Sequence, residues 1–285
     1  MLDMNRKKNN TKPLISVITV CFNSADIISE TIESVLNQSY KSIEYIFIDG
    51  DSVDTTVKVI NSYKDKAIEN GAIFKLISEP DNGIYDAMNK GIYNSSGEYI
   101  HFLNAGDLFC TKTVLESIAE KLKETNCNLL VGGSIHVDKN FKIEKKYTLK
   151  SASSFYRDGK MICHQSIFHK ASAFKKYGIY NIKYKFVADQ EWVMRFLSKK
   201  NIKEKIIYFD NPIIFYDMNG VSALNRKKVI KERKILIKSF NFGKINFLRA
   251  TINNRIQYIK FLGILILKKL SLYTLYLKFK NNILR

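Results

Sequence analysis

The 285-residue sequence contains little that breaks or staples a chain. Three prolines and 13 glycines argue against disorder and fibrous repeats. The four cysteines, Cys21, Cys110, Cys127 and Cys163, form no C-x-x-C pair. That argues against a zinc site and for a reducing compartment. No G-x-G-x-x-G follows the first apolar run, and no G-x-x-x-x-G-K-[ST] occurs. The glycines that cradle phosphates in dinucleotide and P-loop sites are therefore missing. A membrane-spanning helix needs about 20 apolar residues, and the C-terminal run Phe261 to Leu267 stops after seven. Residues 1–13, MLDMNRKKNNTKP, lack an apolar stretch, so a polar leader is expected rather than a secretory signal. Acids are scarce at the C-terminal end. From Arg226 to Arg285 a single acid, Glu232, stands among 16 Lys and Arg, whereas the first 225 residues hold 30 basic and 26 acidic residues. A near-neutral body with a basic tail calls for a partner of opposite charge.

What remains is an ordinary globular composition, 46% apolar and 26% charged. Ile15–Cys21 reads as a strand from its β-branched content. Ser24 can cap a helix over about 25–37 whose apolar positions Ile28, Ile32, Val35 and Leu36 share one face. Glu44–Ile48 is a second strand, followed by a helix from Asp54 or Thr55 to about Tyr63. Phe74–Ile77 is a third strand. The turn Pro80-Asp81-Asn82-Gly83 leads into a helix over Ile84–Tyr93, and Tyr99–Leu103 is a fourth strand. Alternating strands and helices predict an α/β fold: a mainly parallel central sheet flanked by helices on both faces. After a helix over about 113–124 the pattern loosens. A strand is expected over Asn128–Gly132 and a hairpin around Asp138-Lys139-Asn140. Further strands are expected at His164–His169 and Lys205–Tyr208, and helices at Ser172–Tyr177 and Ala188–Lys199. From about Leu224 the chain reads as helical, basic and amphipathic.

Ligands of such sheets bind outside the carboxyl ends of the strands. Two consecutive strand ends there carry acids, Asp49/Asp51 and Asp107. A carboxylate beside a polar loop can ligate Mg2+ or Mn2+, and such a cation usually accompanies a diphosphate. Asp49, Asp51 and Asp54 also suit helix caps and turns. Capping explains Asp107 less well, because Thr111 or Thr113 can cap the next helix.

Several segments in order resemble glycosyltransferase family 2, the inverting enzymes of GT-A fold, over roughly Leu14 to Ser222. "SVITVCFNSADIISETIESVLNQSY" is similar to that family's opening strand and helix. "IDGDSVDTT" is similar to its nucleotide loop, with Asp51 where glycine is usual. "GIYDAMNKGIYNSSGEYIHFLNAGD" resembles the run into its metal motif, with Asn104 and Gly106 where acids are common. The resemblance implies a catalytic domain over residues 14–223. Its nucleotide-sugar half would be 14–110 and its acceptor half 111–223. Asp49 would meet the base of a nucleotide sugar, most often uracil, with Thr19, Cys21 and Asn23 lining that pocket. Asn89 and Asn104, from the run into the metal motif, would be further substrate-binding residues. Asp107 would hold Mg2+ or Mn2+. In "YKFVADQEWVMRF", Asp189 would be the base that deprotonates the acceptor hydroxyl. From the residues alone, Asp189 is equally a helix cap before Trp192, Val193 and Phe196, and Glu191 is its rival. "CHQSIF" resembles the acceptor segment, which gives His164 and Gln165 a substrate-binding role beside the plainer one of structural strand residues. "DMNGVSA", with Asn219 where glycine is usual, resembles a loop near the diphosphate.

The implied activity is hexosyl transfer of the EC 2.4 class, from a nucleotide-sugar donor, UDP-linked by expectation, to a glycan or lipid-linked acceptor in cell-surface polysaccharide synthesis. The tail, residues 224–285, interleaves Leu, Ile, Tyr and Phe with lysine, a pattern that suits an anionic membrane surface; a helix packed on the catalytic domain with solvated lysines fits as well. A cytoplasmic protein, peripheral on the inner face of the membrane, is therefore expected. No nucleic-acid-binding signature accompanies the charge. The alternative is a non-catalytic membrane-surface binder of nucleotide sugars or glycans, and only an enzyme needs to keep Asp189.

Overall fold

β-Branched runs too short to span more than one sheet width become the strands β1 (Ile15–Cys21), β2 (Ile43–Asp49), β3 (Ile73–Ser78) and β4 (Tyr99–Phe102). A computed structural model describes residues 12–138, 141–145, 162–199, 205–218, 220, 224–240 and the positions 252, 256, 259 and 263. Between the strands lie α1 (Ala25–Leu36), α2 (Thr56–Ser62), α3 (Lys64–Glu69) and α4 (Ile84–Asn94). The four strands pair in parallel in the order β3-β2-β1-β4. β1 and β2 are buried along their whole lengths, as a sheet covered on both faces requires. This is the α/β architecture that the strand-helix alternation predicts.

The second half adds β5 (Leu108–Phe109), α5 (Val114–Thr125), β6 (Leu129–Asp138), β7 (Phe141–Lys145), β8 (Ile167–Lys170), α6 (Ala171–Tyr177), α7 (Ala188–Lys199), β9 (Ile206–Asp217) and α8 (Arg226–Ser239). β8 runs antiparallel to β4 and to β6, β6 pairs in parallel with β9, and β9 is antiparallel to β5. The expected hairpin is present as β6 and β7; its turn residues 139 and 140 lie outside the described residues.

Four local expectations change. The strand predicted over His164–His169 begins as a 3-10 turn, His164–Ser166, closed by the Ser166 N–H on Cys163 O at 2.9 Å. β9 is far longer than the predicted Lys205–Tyr208, and β5, which has only two residues, escapes any period. Ser24 makes no side-chain cap on α1. Instead the Asp54 carboxylate accepts the Ala25 N–H (3.2 Å) at the start of α1 and the Thr56 N–H (2.9 Å) at the start of α2. The packed body also continues past residue 223. α8 buries Val229, Leu236 and Ile237 in the common core, so the first helix of the basic region belongs to the catalytic body.

Close packing fixes α4 on the sheet. At Gly91 a Cβ would come within 2.5 Å of the Ile18 side chain, so only glycine lets the helix lie this near β1. Three histidines are sealed in this interior. His101 stacks on Phe168 (4.1 Å between centroids), and His169 meets Trp192 edge-on at 5.1 Å. Burial pushes His101, His136 and His169 each down to about 3. All three are neutral in the fold, whereas the unfolded chain takes up their protons below about pH 6.5. Their contribution to stability is complete above that value and is lost as pH falls toward 3. Urea unfolding should show stability declining by up to about 4 kcal/mol per pH unit in this window if all three titrate together, and His→Phe at His101 should reduce the slope.

Candidate active site

The carboxyl ends of β1, β2 and β4 meet at one edge, where three loops are stitched together. The β2–α2 loop is built on Asp49, fully buried, whose Oδ2 accepts from Ser52 N (2.9 Å) and Ser78 Oγ (2.7 Å) and whose Oδ1 accepts from Ser52 Oγ (2.5 Å). The Cys21 thiol points at the same Oδ1 from 3.6 Å; burial and this carboxylate push it far up, so it stays a thiol. Asn23, in the left-handed region at φ 47°, accepts the Val53 N–H (3.0 Å) on Oδ1, while its own N–H donates to Ser52 Oγ (2.8 Å). Asp51 also takes positive φ, 67°, at the position where the resembling motif carries glycine. Phe22 is left 59% exposed at the mouth of these loops. A Cβ at Gly50 would meet Asp81 Oδ2 at 2.5 Å, so the turn after β3 closes tightly over the loop.

Two of the expected pocket residues face elsewhere. Thr19 is fully buried, with its hydroxyl donating to Leu103 O at 2.8 Å and lying 3.2 Å from the Tyr45 hydroxyl. The side chain braces β1, so a place in the pocket would fall to its backbone groups. Asn89 is buried on α4, where Nδ2 donates to Tyr180 O (2.9 Å) and Oδ1 accepts the Tyr180 N–H (3.0 Å). Both ends of its amide are used on main chain, so its work is to clamp the loop before α7.

Past β4 the chain turns at Asn104-Ala105-Gly106-Asp107. Asp107 is buried; Oδ2 accepts from Gln165 Nε2 (2.9 Å) and Oδ1 from the Asp217 N–H (3.0 Å). The Cys163 thiol donates to Gln165 Oε1 (2.9 Å), which turns the amide's nitrogen toward Asp107. Burial pushes the Asp107 carboxyl up to about 7, helped by the charge of Asp217 and opposed by these hydrogen bonds. A Cβ at Gly106 would stand 3.8 Å from Asp217 Oδ2, so a second carboxylate borders the turn. Among the described residues no three His, Cys, Asp or Glu side chains form a metal cage. The donor set still fits a hard divalent cation that keeps its waters and takes its other oxygens from a substrate. Two carboxylates meet here, Asp107 buried and Asp217 half-buried, and burial raises the Asp107 carboxyl toward its neutral form.

Across the site, α7 opens with Asp189, 3% exposed. The Tyr85 hydroxyl donates to Oδ1 (2.7 Å), and His164 Nδ1 lies 3.3 Å from Oδ2. Asn104 Nδ2 reaches His164 Nε2 at 3.3 Å. His164 thus stands between Asn104 and Asp189, with one ring nitrogen facing each. Burial alone would raise the Asp189 carboxyl, but the hydrogen bonds from His164, Tyr85 and the Gln190 N–H outweigh it and hold it below the ordinary value. The rival Glu191 is spent elsewhere, in a two-pronged pair with Arg195 on the same helix at 2.9 and 2.8 Å. The structure thus gathers Asp189, His164, Asn104, Gln165 and Asp107 into one connected site. Sequence reading missed Tyr85 and Asp217, and only their places in "GIYDAMNKG" and before the "MNG" turn marked them. Positions 219 and 221–223 of that turn lie outside the described residues.

The arrangement places a buried carboxylate, Asp189, held in its charged form by hydrogen bonds, in one connected set of polar side chains at the edge of the sheet. The family model for glycosyl transferase family 2 matches residues 16–233. A PGL/p-HBAD biosynthesis glycosyltransferase of Mycobacterium bovis (strain BCG / Pasteur 1173P2) is 27% identical over 221 residues, 77% of this chain and 82% of the relative. A glycosyltransferase of Mycobacterium tuberculosis (strain CDC 1551 / Oshkosh) is 32% identical over 192 residues, 64% of this chain and 68% of the relative. Among solved structures, S. aureus TarS 1-349 in complex with UDP superposes with a TM-score of 0.61 at 17% identity, covering 82% of this chain and 68% of that one. The mannosyltransferase PcManGT from Pyrobaculum calidifontis, in complex with GDP-Man and Mn2+, gives 0.62 at 15% identity over 86% and 69%. At such identities the likeness is one of fold, and that fold is GT-A.

The Asn89 clamp makes a prediction of its own. Asn89→Ala strands a buried N–H and C=O, and each unmade bond costs about 1–3 kcal/mol. Chemical denaturation should register a loss in that range while the dissociation constant for UDP, read by calorimetry, stays within about twofold. A large loss of UDP affinity at full stability would return Asn89 to the substrate pocket.

Proposed function

The chain belongs to glycosyl transferase family 2 and is a glycosyltransferase of the EC 2.4 class, and from that premise we propose that it moves one sugar, with inversion, from a UDP-sugar to a glycan or lipid-linked acceptor of a cell-surface polysaccharide. The observation that carries the reading is Asp189: a buried carboxylate kept anionic by two directed hydrogen bonds and facing the acidic corner at Asp107. TarS bound to UDP and UDP-GlcNAc, and the mycobacterial relative of PGL/p-HBAD synthesis, support the donor and the surface-glycan setting by similarity.

In the proposed reaction the acceptor hydroxyl lies against Asp189 and gives up its proton to that carboxylate. Its oxygen then attacks the anomeric carbon from the face opposite the diphosphate, and the bond to the diphosphate breaks with the electron pair leaving on the phosphate oxygen. Tyr85 and His164 hold the two carboxylate oxygens so that a remaining lone pair faces the acceptor. Asn104 holds the imidazole, and Gln165 orients Asp107. Asp107 would hold Mg2+ or Mn2+, which when bound supplies positive charge to the diphosphate. Phe22 offers an exposed ring to the base, on the loop that Asp49, Cys21 and Asn23 hold in shape.

We also propose that the basic region meets an anionic membrane surface. Support comes from positions 252, 256 and 259, which are helical, spaced as one face, and carry the exposed Ile252, Ile256 and Ile259. Most of the tail lies outside the described residues. Among the described residues no helix is long and apolar enough to cross a membrane, and a surface-bound helix needs no such length.

Asp189→Asn keeps the shape and removes the base. It should lower sugar transfer by about 100- to 10,000-fold while UDP affinity holds, and EDTA should weaken UDP binding to the unaltered protein. Equal transfer by both forms defeats the base, and UDP binding indifferent to EDTA defeats the cation at Asp107. For the tail, the full chain should float with vesicles rich in phosphatidylglycerol. The triple change of Ile252, Ile256 and Ile259 to Asp should abolish flotation, and retention would remove those residues from the contact.

A further inference from the structure

The single acid of the C-terminal region has a specific place. The Glu232 carboxylate accepts the main-chain N–H groups of Lys185 (2.7 Å) and Phe186 (2.6 Å). These are consecutive donors on the loop that delivers Asp189. Beside it on α8, Arg233 Nε donates at 3.2 Å to Oε1 of Gln190, the residue that follows Asp189 in the first turn of α7. α8 makes two further contacts with the same loop, where Tyr184 and Ser239 bring their hydroxyls to 3.4 Å and the Lys228 ammonium stands 6.0 Å from the Phe186 ring centroid. Away from α8, Lys185 Nζ donates to Asn82 O (2.8 Å). Hydrogen bonds to an ionised acceptor are roughly twice as strong as neutral ones. A lone carboxylate among 16 cations has many partners to choose from, and here it takes two main-chain N–H groups. α8 is anchored independently by Val229, Leu236 and Ile237 in the core, so it is a fixed support.

We infer that Glu232 and Arg233 are positioning residues for Asp189: Glu232 fixes the loop that enters α7, and Arg233 holds the first turn of α7 and the aim of its carboxylate. The inference rests on the role proposed above for Asp189. Neither residue touches the reacting atoms. They act by keeping the base where the acceptor hydroxyl arrives, and a displacement of about 1 Å there costs on the order of 100-fold in rate.

The test uses the full chain with Glu232→Gln, Glu232→Ala, Arg233→Met, Arg233→Lys and Asp189→Asn. The donor is the UDP-sugar that most raises the melting temperature with Mn2+ present. Three quantities are read: turnover by UDP release, UDP affinity by calorimetry, and amide hydrogen exchange over residues 184–190. Arg233→Met and Glu232→Ala should lower kcat by about 10- to 100-fold with UDP affinity within twofold, and Arg233→Lys should recover part of the loss. Glu232→Ala should speed exchange at Lys185 and Phe186 at least tenfold, and the isosteric Glu232→Gln, should Glu232→Ala not fold, should do so to a smaller extent. Wild-type kcat in Arg233→Met, or unchanged exchange in both Glu232 variants, overturns the inference. So does a fall in UDP affinity that matches the fall in kcat, because that marks general damage. If Asp189→Asn retains full turnover, the base assignment fails instead, and the exchange measurement still decides whether Glu232 holds the loop.

Discussion

A carboxylate taken out of water must be hydrogen-bonded or neutralised, and the way Asp189 meets that demand organises the molecule. Its Oδ1 takes the Tyr85 hydroxyl from α4, 104 positions away in the chain, and its Oδ2 takes His164 from the turn before β8. One donor comes from the helix that precedes β4 and the other from the turn that precedes β8. These two parts of the fold therefore cannot shift against each other without leaving a buried charge short of a partner. α4 adds a second tie one turn along, where Asn89 grips the main chain of Tyr180, and the Tyr180 ring packs 5.6 Å from that of Tyr85. Because α4 lies on β1 at the closeness that Gly91 permits, the position of Asp189 is referred back to a strand that is buried along its whole length.

The donor side solves a different problem with the same means. Loops at strand ends are mobile unless their polar groups are tied. Here Asp54 serves the amino ends of both α1 and α2, Asp49 serves Ser52 and Ser78, and Asn23 crosses to Val53. The Asp54 carboxylate is held below its ordinary value chiefly by the Thr56 hydroxyl. It is anionic at the positive ends of two helix dipoles, where negative charge is favoured. An ordered loop loses less entropy when it binds. Acids that look like ligands in sequence thus become the internal fastenings of the loop that presents Phe22.

Which features were legible follows from how local their causes are. The strands β1 to β4 and the helices α1, α2 and α4 are specified by short apolar runs or a period of 3.6, and they appear where the pattern puts them, whereas α3 (Lys64–Glu69) was not anticipated. Asp189 and Asp107 were singled out by the short motifs around them. For Thr19 and Asn89 a motif marks the position without saying whether the side chain touches substrate or main chain, and here both side chains bond to main chain. β5, the length of β9 and the 3-10 turn at His164 were invisible because each depends on a partner distant in sequence. Leu108 pairs with Phe215, and Gln165 turns toward Asp107. The boundary at 223 misled for a related reason. Charge marks α8 as a surface helix, but its Val229, Leu236 and Ile237 supply the face that the core needs.

The same contrast bears on the thinned acidic motif. Read along the chain, Asn104 and Gly106 stand where acids are common, and Asp107 is left to hold a cation alone. Read in space, the missing side chain at Gly106 opens room that Asp217 borders, at 3.8 Å from where a Cβ would be, and the Asp217 N–H binds Asp107 directly. Asp217 arrives there because β9 runs on well beyond its predicted end, beside β6, through register shifts at Gly133. Asn104 in turn holds the imidazole that serves Asp189. An acid at position 104 would bring a second carboxylate to the imidazole and set it in competition with Asp189. The departure from the motif at 104 and the hydrogen bonding of Asp189 across the site are therefore one arrangement.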